Sequence, residues 1–198
     1  YVHRSLIKRV VIMPGVTSIG ARAFYACSML TEIVIPETVT RIGDSAFSSC
    51  TRLAEITLPD GLTELSDGIF SSCSALAHVT IPDSVTRIGD SAFNLCRVLT
   101  NVDIPAGVTE IGTQAFSHCY ALTSIVIPEG VTSLPYQTFY GCHDLSYVSL
   151  PSTLTDMGYD VFSNTSLRTA GPVGGGYQME FNWTEEIPAR AFDCNTLE

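Results

Sequence analysis

The 198-residue chain is 45% apolar and sets 20 acidic residues against 10 basic ones, a formal charge of −10. That balance argues against nucleic acid, whose phosphates need clustered Lys and Arg, and against charge-driven adhesion to anionic lipid. A neutral, glycan or basic protein partner stays open. No apolar run reaches the ~18 residues of a membrane-spanning helix, and the first residues do not read as a basic-then-apolar leader.

In chain order, residues 1–15 are a partial repeat. Tyr1 stands where Phe24 stands later, Ile7 where Leu30, Val10 where Ile33 and Ile12 where Ile35. Six gapless blocks of 23 residues follow over 16–153, marked by Cys27, Cys50, Cys73, Cys96, Cys119 and Cys142. A fixed period of this length identifies a repeat array before any other signal is weighed. Residues 154–170 are a degenerate repeat that keeps Phe162 and puts Thr165 at the cysteine position. Residues 171–184 fit no repeat and form a Gly/aromatic insertion, and 185–198 begin a further, truncated repeat with Phe192 and Cys194. Residue 1 is not methionine and both ends fall within repeats, so a fragment or a processed product is expected.

Within a block, Leu30, Ile33, Ile35 and Pro36 alternate apolar with polar neighbours and then stop at proline. This predicts a short strand with one buried face, closed where a ladder donor is lost. The next stretch, Gly43 to Cys50, offers a turn glycine, an Asp or Ser able to cap, and about two turns of helix. One such unit cannot bury its own apolar face. Copies must stack, with strands about 4.8 Å apart in one parallel sheet and short helices or 3-10 segments opposite, giving an α/β repeat solenoid. Phe24, Phe47, Phe70, Phe93, Phe116, Phe139 and Phe162 would form its spine. Ser66 and Pro135 replace the turn glycine, and Ile69 and Thr138 the usual alanine, so local distortion is expected at 66–69 and 135–138.

The pattern Cys-x-x-Leu-x-x-Ile-x-Ile-Pro-x-x-Val-x-x-Ile-Gly-x-x-Ala-Phe, held in phase by six blocks, resembles the BspA-like, or Treponema pallidum type, leucine-rich repeat through residues 1–167. The resemblance implies a right-handed horseshoe with a concave sheet, and an extracellular or cell-surface setting in which members adhere to host proteins or other microbes. No active-site motif belongs to that repeat. No cofactor, metal or catalytic residue is therefore assigned.

Each ladder cysteine falls at the same inward position, so free buried thiols are expected rather than disulfides, which need converging Cβ vectors. Cys194 lies outside the regular blocks and is expected to be exposed. His118-Cys119 and Cys142-His143 carry the residue types of a thiol protease or a zinc site. Adjacent residues on a short helix diverge, however, and the core claims each cysteine. The stretch 171–176, GPVGGG, lacks the Gly-Lys-Ser/Thr ending of a phosphate-binding loop and reads as a turn. Tyr177, Phe181 and Trp183 behind it read as a plug over the solenoid or as a contact loop.

The informative surface lies on the outward side of the strands. One column holds Arg9, Glu32, Glu55, His78, Asn101, Ser124 and Tyr147; the other holds Val34, Thr57, Thr80, Asp103, Val126 and Ser149. Core positions barely change between blocks while these do, as a scaffold with a variable display face would show. The functional expectation is a non-catalytic module binding an extracellular protein or glycan on this concave face. The alternative is a structural spacer presenting another part of a larger surface protein. Uncapped repeats would also leave apolar surface and strand edges for end-to-end self-association.

Overall fold

The computed structural model describes residues 4–167 and 169–171. After a 3-10 turn at Arg4–Leu6, the strands in chain order are β1 (Arg9–Val11), β2 (Ser18–Ile19), β3 (Glu32–Val34), β4 (Arg41–Ile42), β5 (Glu55–Thr57), β6 (Glu64–Leu65) and β7 (His78–Thr80). There follow β8 (Arg87–Ile88), β9 (Glu110–Ile111), β10 (Ser124–Val126), β11 (Ser133–Leu134), β12 (Tyr147–Ser149), β13 (Asp156–Met157) and β14 (Thr169–Gly171). Each regular coil contributes a three-residue long strand and a two-residue short strand, except that 101–103 does not form its long strand. All pairing is parallel: Val10 lies opposite Ile33, Ile56 opposite Val79, and Ile125 opposite Val148. The result is a parallel β-solenoid whose register follows directly from the 23-residue period.

The core runs along the axis. Phe47, Phe70, Phe93, Phe116, Phe139 and Phe162 are fully buried. From Phe24 to Phe162 successive rings stack at 5.2–5.8 Å between centroids, with planes within 25° of parallel. Leu, Ile, Val and cysteine columns close around this spine. The expected spine is present.

The expected short helices are not. Among the described residues the 3-10 turn at Arg4–Leu6 is the sole helical element, and the stretches following the short strands are runs of turns. The physical reason lies between coils. The N–H groups of Ser45, Phe47 and Ser49 donate forward to the carbonyls of Asp67, Ile69 and Ser71, while Ala46, Ser48 and Cys50 donate back three residues within their own coil. A helix would direct every N–H along its own axis and leave none for the neighbour. The alternation requires left-handed backbone at two columns, for example Ser45 (φ 54°) and Ser49 (φ 62°). Such conformations cost a non-glycine residue about 1–2 kcal/mol. Hydrogen bonds to the next coil offset that cost, giving a third ladder beside the two strand ladders.

The distortion expected at the glycine replacements lies in the short-strand ladder. The sheet order is β2-β4, then β6-β8-β9, then β11-β13, with breaks where Ser66 and Pro135 follow β6 and β11. Elsewhere this column brings a glycine within touching distance of the previous coil. A Cβ on Gly43 would meet Ala21 N at 2.6 Å, and one on Gly158 would meet Tyr136 N at 2.5 Å. Those glycines donate across, as Gly43 does to Ile19 and Gly158 to Leu134. Ser66 uses its hydroxyl instead, donating to the Ile42 carbonyl at 2.5 Å.

Candidate functional site

Strand alternation positions the candidate surface. In β3, β5 and β7 the central residue is buried and both flanks are exposed, so Glu32 with Val34, Glu55 with Thr57, and His78 with Thr80 stand outward in pairs. Arg9, Asn101, Asp103, Val126 and Tyr147 are exposed as well, and Ser124 is half-buried. Ser149 departs from the expectation. It is fully buried, and its hydroxyl oxygen has no hydrogen-bond partner, so it offers nothing to a ligand at this surface.

Arg9 and Glu32, opposite one another in register, form an ion pair at 2.9 Å with both side chains more than half exposed. An exposed pair of this kind contributes little to stability. Among the described residues no cation pairs with Glu55 or Asp103. The face therefore presents carboxylates, threonine hydroxyls, a histidine and a tyrosine on a fixed backbone.

The long-strand sheet is discontinuous. Its ladders join β1-β3, β5-β7 and β10-β12-β14, leaving gaps between β3 and β5 and on both sides of 101–103. Each of three open depressions takes in one of these gaps, and the first two extend over a laddered strand pair beside it. The largest, about 370 Å³, spans Thr31, Glu32, Val34, Glu55, Thr57, His78 and Thr80. A second, about 220 Å³, lies among Asn101, Asp103, Ser124, Val126 and Tyr147, and a third of about 220 Å³ joins Thr80 and Asp83 to Asp103. Eleven of the thirteen residues expected on this face line one of these three depressions; Arg9 and Ser149 line none of the three. Thr31 and Asp83 were not foreseen, because they flank the strands and lie outside the two columns.

The cysteine ladder is committed to structure. All six thiols are buried and free. Cys50, Cys73, Cys96, Cys119 and Cys142 each donate to the carbonyl of the phenylalanine 26 residues earlier, at 3.1–3.2 Å. Burial pushes Cys50 and Cys142 up to about 12 and Cys119 well above its ordinary value. A thiol held protonated is a poor nucleophile and metal ligand. This answers the His118-Cys119 and Cys142-His143 pairs: in each, the cysteine sits inside the stack. Among the described residues no group of three or more His, Cys, Asp or Glu could hold a metal ion, and no helix is long and apolar enough to cross a membrane. Tyr177, Phe181, Trp183 and Cys194 lie outside the described residues.

The model of the BspA type leucine rich repeat region matches residues 3–122 and 63–171, in six copies. The chain belongs to the BspA-type leucine-rich repeat family. A crystal structure of a T. pallidum leucine-rich repeat protein is similar at 38% identity over 79% of this chain and 75% of that one, with a TM-score of 0.75. A leucine-rich cell surface protein from Faecalibacterium prausnitzii shares 34% identity over 84% of this chain, with a TM-score of 0.62, and this chain spans 54% of its length. A leucine-rich repeat protein from Bacteroides ovatus is 27% identical over 85% of this chain and 56% of that one, with a TM-score of 0.57. No curated protein sequence matches. BspA-type repeats are generally non-catalytic, and the chain resembles cell-surface leucine-rich proteins.

Proposed function

We propose that this chain is a non-catalytic recognition module of a secreted or cell-surface protein, holding an extracellular protein or glycan against the outward face of its long strands. The observation that carries the reading is that each depression on this face takes in a gap in the long-strand ladder. There the invariant scaffold gives way to side chains that differ from coil to coil. Glu55, His78, Asn101, Asp103 and Tyr147 are the contacts assigned to the partner, since aromatic and hydrogen-bonding groups anchor interfaces. The cell-surface description of the Faecalibacterium prausnitzii relative supports the setting.

A binding panel of extracellular-matrix proteins and glycans tests this, with the triple variant Glu55→Ala, His78→Ala, Tyr147→Ala beside the parent chain. All three side chains are exposed, so thermal unfolding is expected to stay within about 1 °C. The expected result is a panel member whose affinity falls at least tenfold in the variant. Undiminished binding by the variant rejects this face, and the absence of any binder at micromolar concentration favours the spacer.

A further inference from the structure

The turn segment around the cysteine column changes character along the array. The position after the cysteine is Ser28, Thr51 and Ser74 in the first three regular coils, then Arg97, Tyr120 and His143 in the next three. These larger groups form one stack. The Arg97 guanidinium lies 5.6 Å from the Tyr120 ring centroid, and the His143 ring lies against Tyr120 at 4.9 Å with planes 14° apart. His118 meets Tyr120 and Tyr140 edge-on at 5.6 and 5.2 Å. Gly141, in left-handed backbone at φ 69°, makes room for that ring, since a Cβ there would meet His118 Nδ1 at 2.6 Å. Packing thus fixes five side chains before any ligand arrives.

Charge distinguishes the patch. Across the turns 94–98, 117–121 and 140–144 the ionisable groups other than tyrosine and cysteine are Arg97, His118, His143 and Asp144; with the imidazoles counted neutral the patch carries no net charge, in a chain of net charge −10 counted the same way. Among the described residues Arg97 has no carboxylate partner. The next position in the stacked column, Ser166, is small and exposed, leaving a step beside the exposed His143 ring.

We propose that this turn-side cluster is a second binding site, separate from the long-strand face, for an acidic glycan whose sugar ring stacks on His143 and whose carboxylate or sulfate meets Arg97 and the imidazoles. The stacking step favours a pyranose, which presents a flat C–H face, over an extended acidic peptide. A guanidinium binds planar oxyanions bidentately, and side chains already held in place lose little entropy on binding. Burial, then His143 and Arg97, lowers the pKa of His118. A bound anion opposes the last two effects, so anion binding and imidazole protonation reinforce one another. Affinity rises as pH falls.

Calorimetric titration with a heparin hexasaccharide, a hyaluronan hexasaccharide and a neutral hexasaccharide tests the site; binding of hyaluronan assigns recognition to carboxylate, and binding of heparin alone assigns it to sulfate. The expected result is saturable binding of at least one acidic probe and none of the neutral one, tightening severalfold from pH 7.5 to 5.5. Arg97→Ala and His143→Ala, both at exposed positions, weaken it at least tenfold, while Arg52→Ala, which removes a charge from a turn outside the stack, changes it less than twofold. On saturation the imidazole NMR titration of His118 shifts to higher pH. Lack of saturable binding, or an Arg52→Ala loss equal to that of Arg97→Ala, overturns the proposal.

Discussion

A cysteine at the inward position of every coil is a choice about hydrogen bonding as much as size. A buried alanine or valine would fill the space, but the carbonyls of Phe24, Phe47, Phe70, Phe93 and Phe116 would lose the thiol donors that reach them. The 23-residue register shows that these thiols face inward; it does not show that they donate, because the acceptor belongs to another coil. Burial carries a consequence for alkaline stability. Unfolded thiols ionise near 9.0, whereas Cys50 and Cys142 hold their protons to about 12. Between those values the unfolded chain binds fewer protons, so stability is intact below pH 9 and falls as pH rises toward 12. Each such thiol contributes a slope of about 1.4 kcal/mol per pH unit in that window. Urea unfolding at pH 7, 9 and 10.5 measures the slope, and the double variant Cys50→Ala, Cys142→Ala is expected to reduce it, the buried Cys73, Cys96 and Cys119 keeping the remainder. An equal slope in parent and variant would place the alkaline loss elsewhere.

At the scale of the element, the long strands were legible; the short strands, which form a second ladder where one sheet was expected, and the turns were not. Alternation with a closing proline depends on residues two apart, and a single sequence displays it. Ser45 to Cys50 contains residues that a helix tolerates, and the reason no helix forms is the forward hydrogen bond to the next coil, which no local propensity registers. Local distortion near Ser66 and Pro135 could be read from sequence because each replaces the turn glycine; that it takes the form of breaks in a short-strand ladder could not. The gaps in the long-strand ladder could not, since residues 101–103 follow the same apolar pattern as their neighbours. Glycine in this column is a matter of space, and two positions separate that claim from a general dislike of substitution. A Cβ on Gly89 would stand 2.8 Å from both the Leu65 carbonyl and the Asp67 backbone nitrogen; one on Gly20 meets nothing within 4 Å. Gly89→Ala is expected to cost about 2–4 kcal/mol by prising β8 from β6, and Gly20→Ala less than about 0.5 kcal/mol. Denaturant midpoints of the two variants decide it, and similar losses would contradict the close-approach argument.

For the whole molecule, three sets of backbone hydrogen bonds between coils and a continuous phenylalanine stack make a parallel β-solenoid, and recognition is assigned where the long-strand ladder opens. The two outward columns were legible because core positions stay constant while these vary. Where on that face a partner could sit was not, because the gaps between strands arise from stacking. Ser149 shows the limit of the column argument, since an outward register position is no guarantee of exposure. The most direct test of recognition at the gaps is hydrogen exchange of the chain alone and saturated with the tightest panel member whose affinity falls in the Glu55→Ala, His78→Ala, Tyr147→Ala variant. In the free chain, amides of 101–103 should exchange faster than those of β7 and β10, which keep ladder partners. With the partner bound, protection should appear at 31–34, 55–57, 78–80 and 101–105 and leave the short strands unchanged. Protection confined to the short strands or the turns, with the long-strand face exchanging as in the free chain, would contradict the account.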